Sequence, residues 1–433
     1  MGHKQISRVL RQMKQVFSGE ELRRLGMESG QCRRFRKVTP QRLALSLIQS
    51  LGEGKVETLA DLQREFNRMH GLNVRYKPFH KQLSRESFPG FMRSLCARLM
   101  SKLSGRVLNF SPDSPFSRFS HIILHDGSSF ALKSSLREVF PGRFSETSPA
   151  AVELHVSMEL LSERPQSVTL TPDTDAEVKH LPEASSIAGG LLLADRMFFI
   201  KRHLADIARQ GGHYVVKTKG TLNPVIRRAT RADGSEIRSW RGRCLKEVSG
   251  SLRRYRRVDL EVCREERDYT LDARLVVTWN RKENRPRYLV TNLPRTEFSL
   301  EQVCDAYRLR WQVELLFKEW KSYANLHAFD TKNAAIAEGL VWASIRAALL
   351  KRFLAHAAQR LFQVAVSTRT AAMCLRSSLT RILDALAHNR RGLRGCIRDV
   401  LAFLAENARR SHPKRERLRG RAKLGLEPVF GDA

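Results

Sequence analysis

Apolar positions recur at helical spacing early in the chain. Leu43, Ala44, Leu47, Ile48 and Leu51 follow Thr39 and Pro40, a capping residue and a proline suited to a first turn. The stretch 59–66 predicts another helix, and a Gly71-Leu72-Asn73 turn separates it from a further one over about 77–83. Two short helices about a glycine turn have the outline of a helix-turn-helix, which any small helical bundle also contains. Residues 1–110 thus read as a helical, basic region.

Near Pro112–Pro115 the period shortens. His121-Ile122-Ile123-Leu124-His125-Asp126 is a short β-type run that ends in an acid. Two more strands are expected over 152–161 and 167–170, joined by the turn Glu163-Arg164-Pro165-Gln166. Gly190-Leu191-Leu192-Leu193-Ala194-Asp195 is a continuous apolar run ending in a second acid, with the texture of a strand buried on both faces. A helix over about 197–209 stops at Gly211-Gly212, and 213–217 forms another strand. Residues 221–295 read as a β-rich insertion with candidate strands at 237–240, 254–262, 273–279 and 287–291. Ser299-Leu300-Glu301-Gln302 then opens one long helix to about Tyr323 with a capping-box start. The expected fold class is α/β: a mixed-sheet core over 111–330, flanked by helical regions at 1–110 and 331–433. Beyond 334 no single apolar face stands out, and the arginine-dense stretch 409–423 is expected to be flexible.

Charge changes the picture more than composition does. Lys and Arg number 77 against 44 Asp and Glu, a net charge of +33. Such a field attracts polyanions, nucleic acid foremost, since each neutralised phosphate releases a counterion. An anionic membrane would need an amphipathic or lipidated anchor, and none is evident. The best apolar stretch, from Gly339, is broken by Arg346, Lys351 and Arg352, so no membrane span is expected. There is no secretory apolar segment near the start. Seven scattered cysteines without a Cys-x-x-Cys pair argue against disulfides and zinc knuckles and fit a reducing cytosol.

Two strands that each end in an aspartate suit a site for two divalent cations. Carboxylates are hard oxygen ligands, right for Mg²⁺ or Mn²⁺. Two such ions can stabilise the attacking and leaving oxygens of a phosphodiester displacement. Among 44 acids many triples are conceivable, and the helix after 299 narrows the choice. Tyr307, Arg310, Glu314 and Lys321 fall within roughly a 60° arc of a helix. Leu309, Val313, Leu316 and Trp320 gather on another side. One acid flanked by two cations and a phenol can serve metal and phosphate together. A solvated charged face is the ordinary alternative. His121 and His125 alternate onto one strand face with Asp126 on the other, a placement that favours core or supporting hydrogen bonds over metal ligation. Arg253-Arg254-x-Arg256-Arg257 faces either phosphate or solvent.

The spacing Tyr307-x2-Arg310-x3-Glu314-x6-Lys321 resembles the signature of the IS-four family of bacterial insertion-sequence DDE transposases, which includes the transposon-five transposase. Leu193-Ala194-Asp195-Arg196 is similar to the family's motif at its second acid. His125-Asp126-Gly127-Ser128-Ser129 is similar to its first. The resemblance implies an RNase H-like core with a β-rich insertion. It implies that Asp126, Asp195 and Glu314 are the catalytic acids and hold two Mg²⁺, with Mn²⁺ able to substitute. It also implies DNA contacts by Tyr307, Arg310 and Lys321, and by Lys217 and Lys219 in Tyr214-Val215-Val216-Lys217-Thr218-Lys219. Some family members stack a flipped base on a tryptophan in the strand before the signature helix. Tyr288 takes that place here, with Trp240 and Trp279 as rivals. The implied activity is cleavage at the ends of the protein's own insertion sequence and joining of the 3′-hydroxyls to target DNA. The implied partners are double-stranded DNA and a second copy in the DNA complex, in the bacterial cytoplasm at the nucleoid. A metal-dependent nuclease on the same fold and a non-catalytic DNA-binding repressor are the alternatives.

Overall fold

The strand-forming stretches of the middle of the chain join one mixed sheet. The computed structural model describes residues 2–54, 56–103, 105–323, 329–388, 392–410 and 421–430. Strand β1 (Leu108–Phe110) lies apart from the sheet. The strands that build the sheet are β2 (Ile122–Ala131), β3 (Pro141–Phe144), β4 (Ser148–Glu159), β5 (Arg164–Pro172), β6 (Leu191–Ala194), β7 (His213–Thr218), β8 (Val225–Arg231), β9 (Arg257–Glu265), β10 (Thr270–Asn280) and β11 (Arg285–Thr291). Their order is β3-β4-β2-β6-β7-β11-β10-β9-β8, and β5 also pairs with β4. β2 runs antiparallel to β4, and β4 to β5. β6 lies parallel to both β2 and β7. This is the RNase H-like α/β arrangement. The insertion does not form a separate body: β11 pairs antiparallel with β7, so β8 to β11 extend the same sheet.

The run 191–194 is fully buried because it sits mid-sheet with helices on both faces. On one face Leu192 and Ala194 pack with Leu204 and Ile207 of α7 (Lys201–Arg209). On the other, Leu191 and Leu193 join a core with Val303, Ala306 and Leu309 of α10 (Leu300–Leu309) and Val313, Leu316 and Trp320 of α11 (Trp311–Tyr323).

The helices before and after the sheet pack on one another. The first group is α1 (Gly2–Phe17), α2 (Gly19–Glu28), α3 (Pro40–Glu53), α4 (Leu59–His70), α5 (Tyr76–Leu83) and α6 (Ser87–Lys102). The last is α12 (Ala334–Phe362), α13 (Thr368–Ala387) and α14 (Leu393–Asn407). Thr39 accepts from Arg42 N to start α3. Thr58 and Asp61 form a capping box on α4, and Gly71 ends it with φ +59. α12 runs between α3, α6, α13 and α14. It therefore lacks a single apolar face, because it is buried on nearly all sides. Its interrupting cations find carbonyls: Arg346 donates to Ala44 O and Lys351 to Gly52 O, both on α3. Among the described residues no helix is long and apolar enough to cross a membrane.

Four local expectations are corrected. Residues 238–240 form a 3-10 turn rather than a strand, because Ile237 and Trp240, three apart, both turn into the second core. The strand expected from 254 begins at Arg257, after the short helices α8 (Leu245–Val248) and α9 (Leu252–Tyr255). The helix expected over 197–209 splits into a 3-10 turn and α7. The long helix from 299 starts as expected, with a Ser299–Gln302 capping box, but breaks at Arg310. There the amides of Arg310 and Val313 donate three residues back instead of four. Of the basic stretch 409–423, residues 411–420 lie outside the described residues. After it, β12 (Leu426–Pro428) pairs with β1.

One buried ion pair links the far strands to the start of α10. Arg274 donates to both oxygens of Asp259 and, at 2.7 Å, to Phe298 O in the turn that leads into α10. Both side chains are almost wholly buried. Arg274→Ala leaves the Asp259 carboxylate only the longer contact from Arg295 Nη2 at 3.3 Å and should destabilise the protein by about 3 kcal/mol. The check is the midpoint of urea unfolding; a wild-type midpoint would show that the pair does not hold this corner.

Candidate active site

Strand register brings the two aspartates together. His125 of β2 is opposite Ala194 of β6 in the parallel pair. Asp126 and Asp195 are the next residues on each strand, so they sit side by side. Both follow positions that face the same core, Leu124 and Leu193 in register, so both carboxylates point toward α10 and α11. The break at Arg310 then lowers the start of α11 onto them. Arg310 Nη1 donates to Asp126 Oδ2 at 2.8 Å, and Nη2 donates to Glu314 Oε1. Tyr307 Oη donates to Asp195 Oδ1 at 3.1 Å. All three acids are therefore tied together through one guanidinium and one phenol.

The arrangement is half-buried, and burial sets its electrostatics. The side chains of Arg310 and Asp126 are 13% and 18% exposed. Burial pushes the Asp126 carboxyl up to about 6; Arg310 and the Gly127 amide oppose this, and the Glu314 and Asp195 charges add to it. For Arg310, burial works against the charge, but Tyr307, Asp126 and Glu314 outweigh it and hold its pKa above the ordinary value. Burial, then Asp195, raises that of Tyr307. Behind the acids, His125 is buried on the opposite sheet face. Its Nδ1 lies 2.9 Å from Ser157 Oγ, its ring meets Phe198 edge-on, and burial pushes it down to about 3.

The other sequence-derived residues spread around this centre. Lys217 lines a cleft of about 880 Å³ beside Tyr307, together with Arg256, Arg257, Arg281, Arg287, Arg308, Trp279 and Lys423. Lys219 and Lys321 are exposed. Tyr288 is 8% exposed and packs in the second core, while its neighbour Leu289 faces the cleft. Trp240 is buried in that same core, against Tyr255. The sequence pattern did not single out Arg281, Arg287 and Arg308 as one group. They come from a turn, a strand and a helix, and only the sheet extension brings them together.

The family described as Transposase DDE domain matches residues 117–350, which span both aspartates and Glu314. The chain belongs to the DDE transposase domain family. Over 62 residues it is 48% identical to the putative transposase InsL of insertion sequence element IS186A from Escherichia coli K12, covering 14% of this chain and 17% of that relative. It is 22% identical over 437 residues to the transposase of insertion sequence element IS231C from Bacillus thuringiensis, covering 90% and 89% of the two chains. With the IS1151 transposase of Clostridium perfringens it shares 19% identity over 357 residues, 74% of each. A solved piggyBac transposase synaptic complex with hairpin DNA aligns at TM-score 0.45 and 10% identity, covering 93% of this chain and 86% of that one.

The family implies a divalent metal, and the donor set fits one. Among the described residues no three His, Cys, Asp or Glu groups already converge on one ligating point. Instead the guanidinium of Arg310 stands between two acids where a cation's charge is needed. Asp126, Asp195 and Glu314 are the oxygen ligands that would hold such an ion.

The raised value at Asp126 gives a pH test in metal-free buffer. Its folded pKa, about 6, lies above the 3.8 of a free aspartate side chain. The group's favourable contribution is thus complete below 3.8 and lost as pH rises through about 6, roughly 2–3 kcal/mol in all. Asp126→Asn keeps the neutral form. It should be the more stable protein at pH 7.5, with the advantage gone by pH 4, as read by melts in EDTA. An Asn variant less stable at pH 7.5 would show that the Arg310 ion pair outweighs burial.

Proposed function

We propose that the protein is a DNA transposase of the IS-four type, which cleaves at the ends of its own insertion sequence and joins the freed 3′-hydroxyls to target DNA. The observation that carries this reading is the meeting of Asp126, Asp195 and Glu314 through Arg310 and Tyr307. The signature spacing in α10 and α11 supports the finer family assignment. Insertion-sequence relatives such as the IS231C transposase, which aligns over most of the chain, support the activity.

Two divalent ions, Mg²⁺ or Mn²⁺, would supply Lewis-acid stabilisation of an in-line displacement. The chain's own groups bind and orient the DNA. Tyr307 holds Asp195 in place by its phenol. Arg310 offers a planar fork that suits a phosphate as well as a carboxylate. Lys217 in the cleft and the exposed Lys219 and Lys321 would bind the DNA backbone. Water attacks the phosphodiester at the element's end and the bond to the 3′ oxygen breaks. The released 3′-hydroxyl then attacks a phosphate of the target, losing its proton to water, and the bond from that phosphate to the target's own 3′ oxygen breaks, which leaves as a hydroxyl, so one site serves both steps. Tyr288 lies inside the core, so a stacking role would require it to leave its packing; Trp279 at the cleft is the better placed ring.

The region 1–110 would bind DNA, with α5 as a candidate reading helix, since Arg75, Tyr76, Lys77 and Lys81 are all exposed there. Residues 111–330 would form the catalytic core, and 331–433 would complete the helical layer. Two element ends must be joined, so the working species would be a homodimer on double-stranded DNA in the bacterial cytoplasm.

The deciding experiment incubates the protein with the DNA that flanks its gene and Mg²⁺, and sequences the products. Joined ends are expected; cuts without joining would indicate a nuclease, and binding alone a repressor. Asp126→Ala, Asp195→Ala and Glu314→Ala should each abolish cleavage while DNA binding persists. Mg²⁺-dependent cleavage retained in one variant would remove that residue from the triad. Binding itself should weaken steeply with salt, with a slope of log affinity on log salt of about −5 or beyond. A slope near zero would refute DNA as the partner.

A further inference from the structure

A buried ion cluster lies behind α11, on the side away from the acids. Gln312 and Glu319 are seven residues apart and share a helix face roughly 150° from Glu314. Both are engaged by arginines from distant parts of the chain. Arg352 of α12 donates from Nη1 to Glu319 Oε2 at 2.9 Å and from Nε to Glu163 O at 2.7 Å. Arg421, just before β12, donates from Nη2 to Glu163 Oε1 at 2.9 Å and to Gln312 Oε1.

Glu163 is the centre of the cluster. It sits in the turn between β4 and β5 with φ +48, a left-handed conformation that a non-glycine residue adopts only under tertiary constraint. Its side chain is 4% exposed, and Arg352 Nη2 and His356 Nε2 lie 3.5 and 3.3 Å from its Oε2. Burial opposes its charge, and Arg421, His356 and Arg352 outweigh burial and hold the carboxyl well below the usual carboxylate range.

The break at Arg310 makes this cluster consequential. α11 does not continue the hydrogen-bond ladder of α10, so its placement depends on what grips it from outside. Glu314 is in its first turn. The segment that carries Arg421 is itself fastened: Ser114 Oγ donates to Leu424 O, and β12 pairs with β1. Arg421 is 15% exposed and turns inward, unlike a cation that serves phosphate.

We propose that Arg352 and Arg421 form a clasp on the rear of α11, and that Arg421, from the far end of the chain, is a positioning residue for Glu314. The consequence for DNA cleavage rests on the transposase reading above; the clasp itself does not. Removing Arg421 leaves the acids and the DNA-binding cations in place but frees the end of α11 nearest Glu314.

The test uses full-length Arg421→Ala, Arg421→Lys and Gln312→Ala with three readouts: amide hydrogen exchange over 311–320, DNA affinity, and single-turnover cleavage at saturating DNA. In Arg421→Ala, exchange in α11 should quicken while α12 and the sheet stay protected. A misplacement of Glu314 by about 1 Å should slow cleavage on the order of tenfold to a hundredfold at unchanged DNA affinity. Arg421→Lys should recover part of both, since one ammonium nitrogen can serve two acceptors as Nη2 does, but on a shorter side chain. Wild-type exchange in α11 of Arg421→Ala overturns the proposal. If that variant fails to fold, Gln312→Ala, which removes only the helix end of the clasp, should show the same two losses at an unchanged melting temperature. Wild-type exchange and rate in Gln312→Ala would likewise overturn it. If the wild-type protein cuts no DNA, the exchange result still decides the clasp, and the transposase reading alone fails.

Discussion

Three carboxylates grouped around the half-buried Arg310 and Tyr307 repel one another, and the middle of this protein is arranged to keep them there. Two unit charges 4 Å apart interact by about 4 kcal/mol at the effective dielectric of a protein surface. The fold meets that repulsion in two ways. Geometry fixes the backbones: the parallel pairing of β2 with β6 leaves Asp126 and Asp195 no freedom to separate along the strands. Charge compensation comes from Arg310, whose guanidinium spans Asp126 and Glu314. The balance is incomplete, since the Asp126 carboxyl is still pushed up to about 6. Three acids with the single fixed cation of Arg310 among them leave a net negative charge that a further cation would neutralise.

What the sequence revealed of this, and what it withheld, divides along physical lines. The run 191–194 was legible as a doubly covered strand because burial on both faces leaves no polar alternation. The face shared by Tyr307, Arg310 and Glu314 was legible because helical spacing survives a local tightening. The break at Arg310 was not, since neither proline nor glycine marks it. Its visible correlate is tertiary: Arg310 reaches across to a strand 184 residues earlier. Strand β8 and the 3-10 turn before Trp240 were missed for a similar reason. Their apolar residues face a core that the insertion shares with β6, β7 and α7, and neither shows simple alternation. Tyr288 illustrates the limit of substitution by position: it stands where the resemblance places a stacking ring, yet the strand turns it inward.

The helical layer carries the same lesson about charge. Along α12, Arg346, Lys351 and Arg352 interrupt an otherwise apolar stretch, and in sequence they read only as breaks. In the fold each is buried and each meets an acceptor from another element: Ala44 O, Gly52 O, and the Glu163–Glu319 pair. A buried cation without such acceptors would be costly, so these residues fix α12 against α3 at two points and against α11 at a third. α12 is thereby both the axis of the helical layer and a support for α11. The helical groups that flank the sheet are consequently joined through α12, which also contacts the element that carries Glu314.

The overall charge of +33 and the acid centre would conflict if they were not separated in space. The cations of the cleft, Lys217, Arg256, Arg257, Arg281, Arg287, Arg308 and Lys423, lie to one side of Tyr307. Glu301 and Asp305 also line the cleft, whereas Asp126, Asp195 and Glu314 do not; Tyr307 marks the boundary, bonded to Asp195 and with the Arg310 guanidinium 5.8 Å from its ring. DNA drawn along the basic side would reach the acids at that boundary. A guanidinium fork can satisfy two carboxylates or a phosphate, but not both at once. In the proposed reaction the arrival of divalent cations at the acids would therefore release Arg310 toward the DNA. One residue would in this way exchange an internal partner for the substrate, and the acids would lose their internal counter-ion only when another had taken its place.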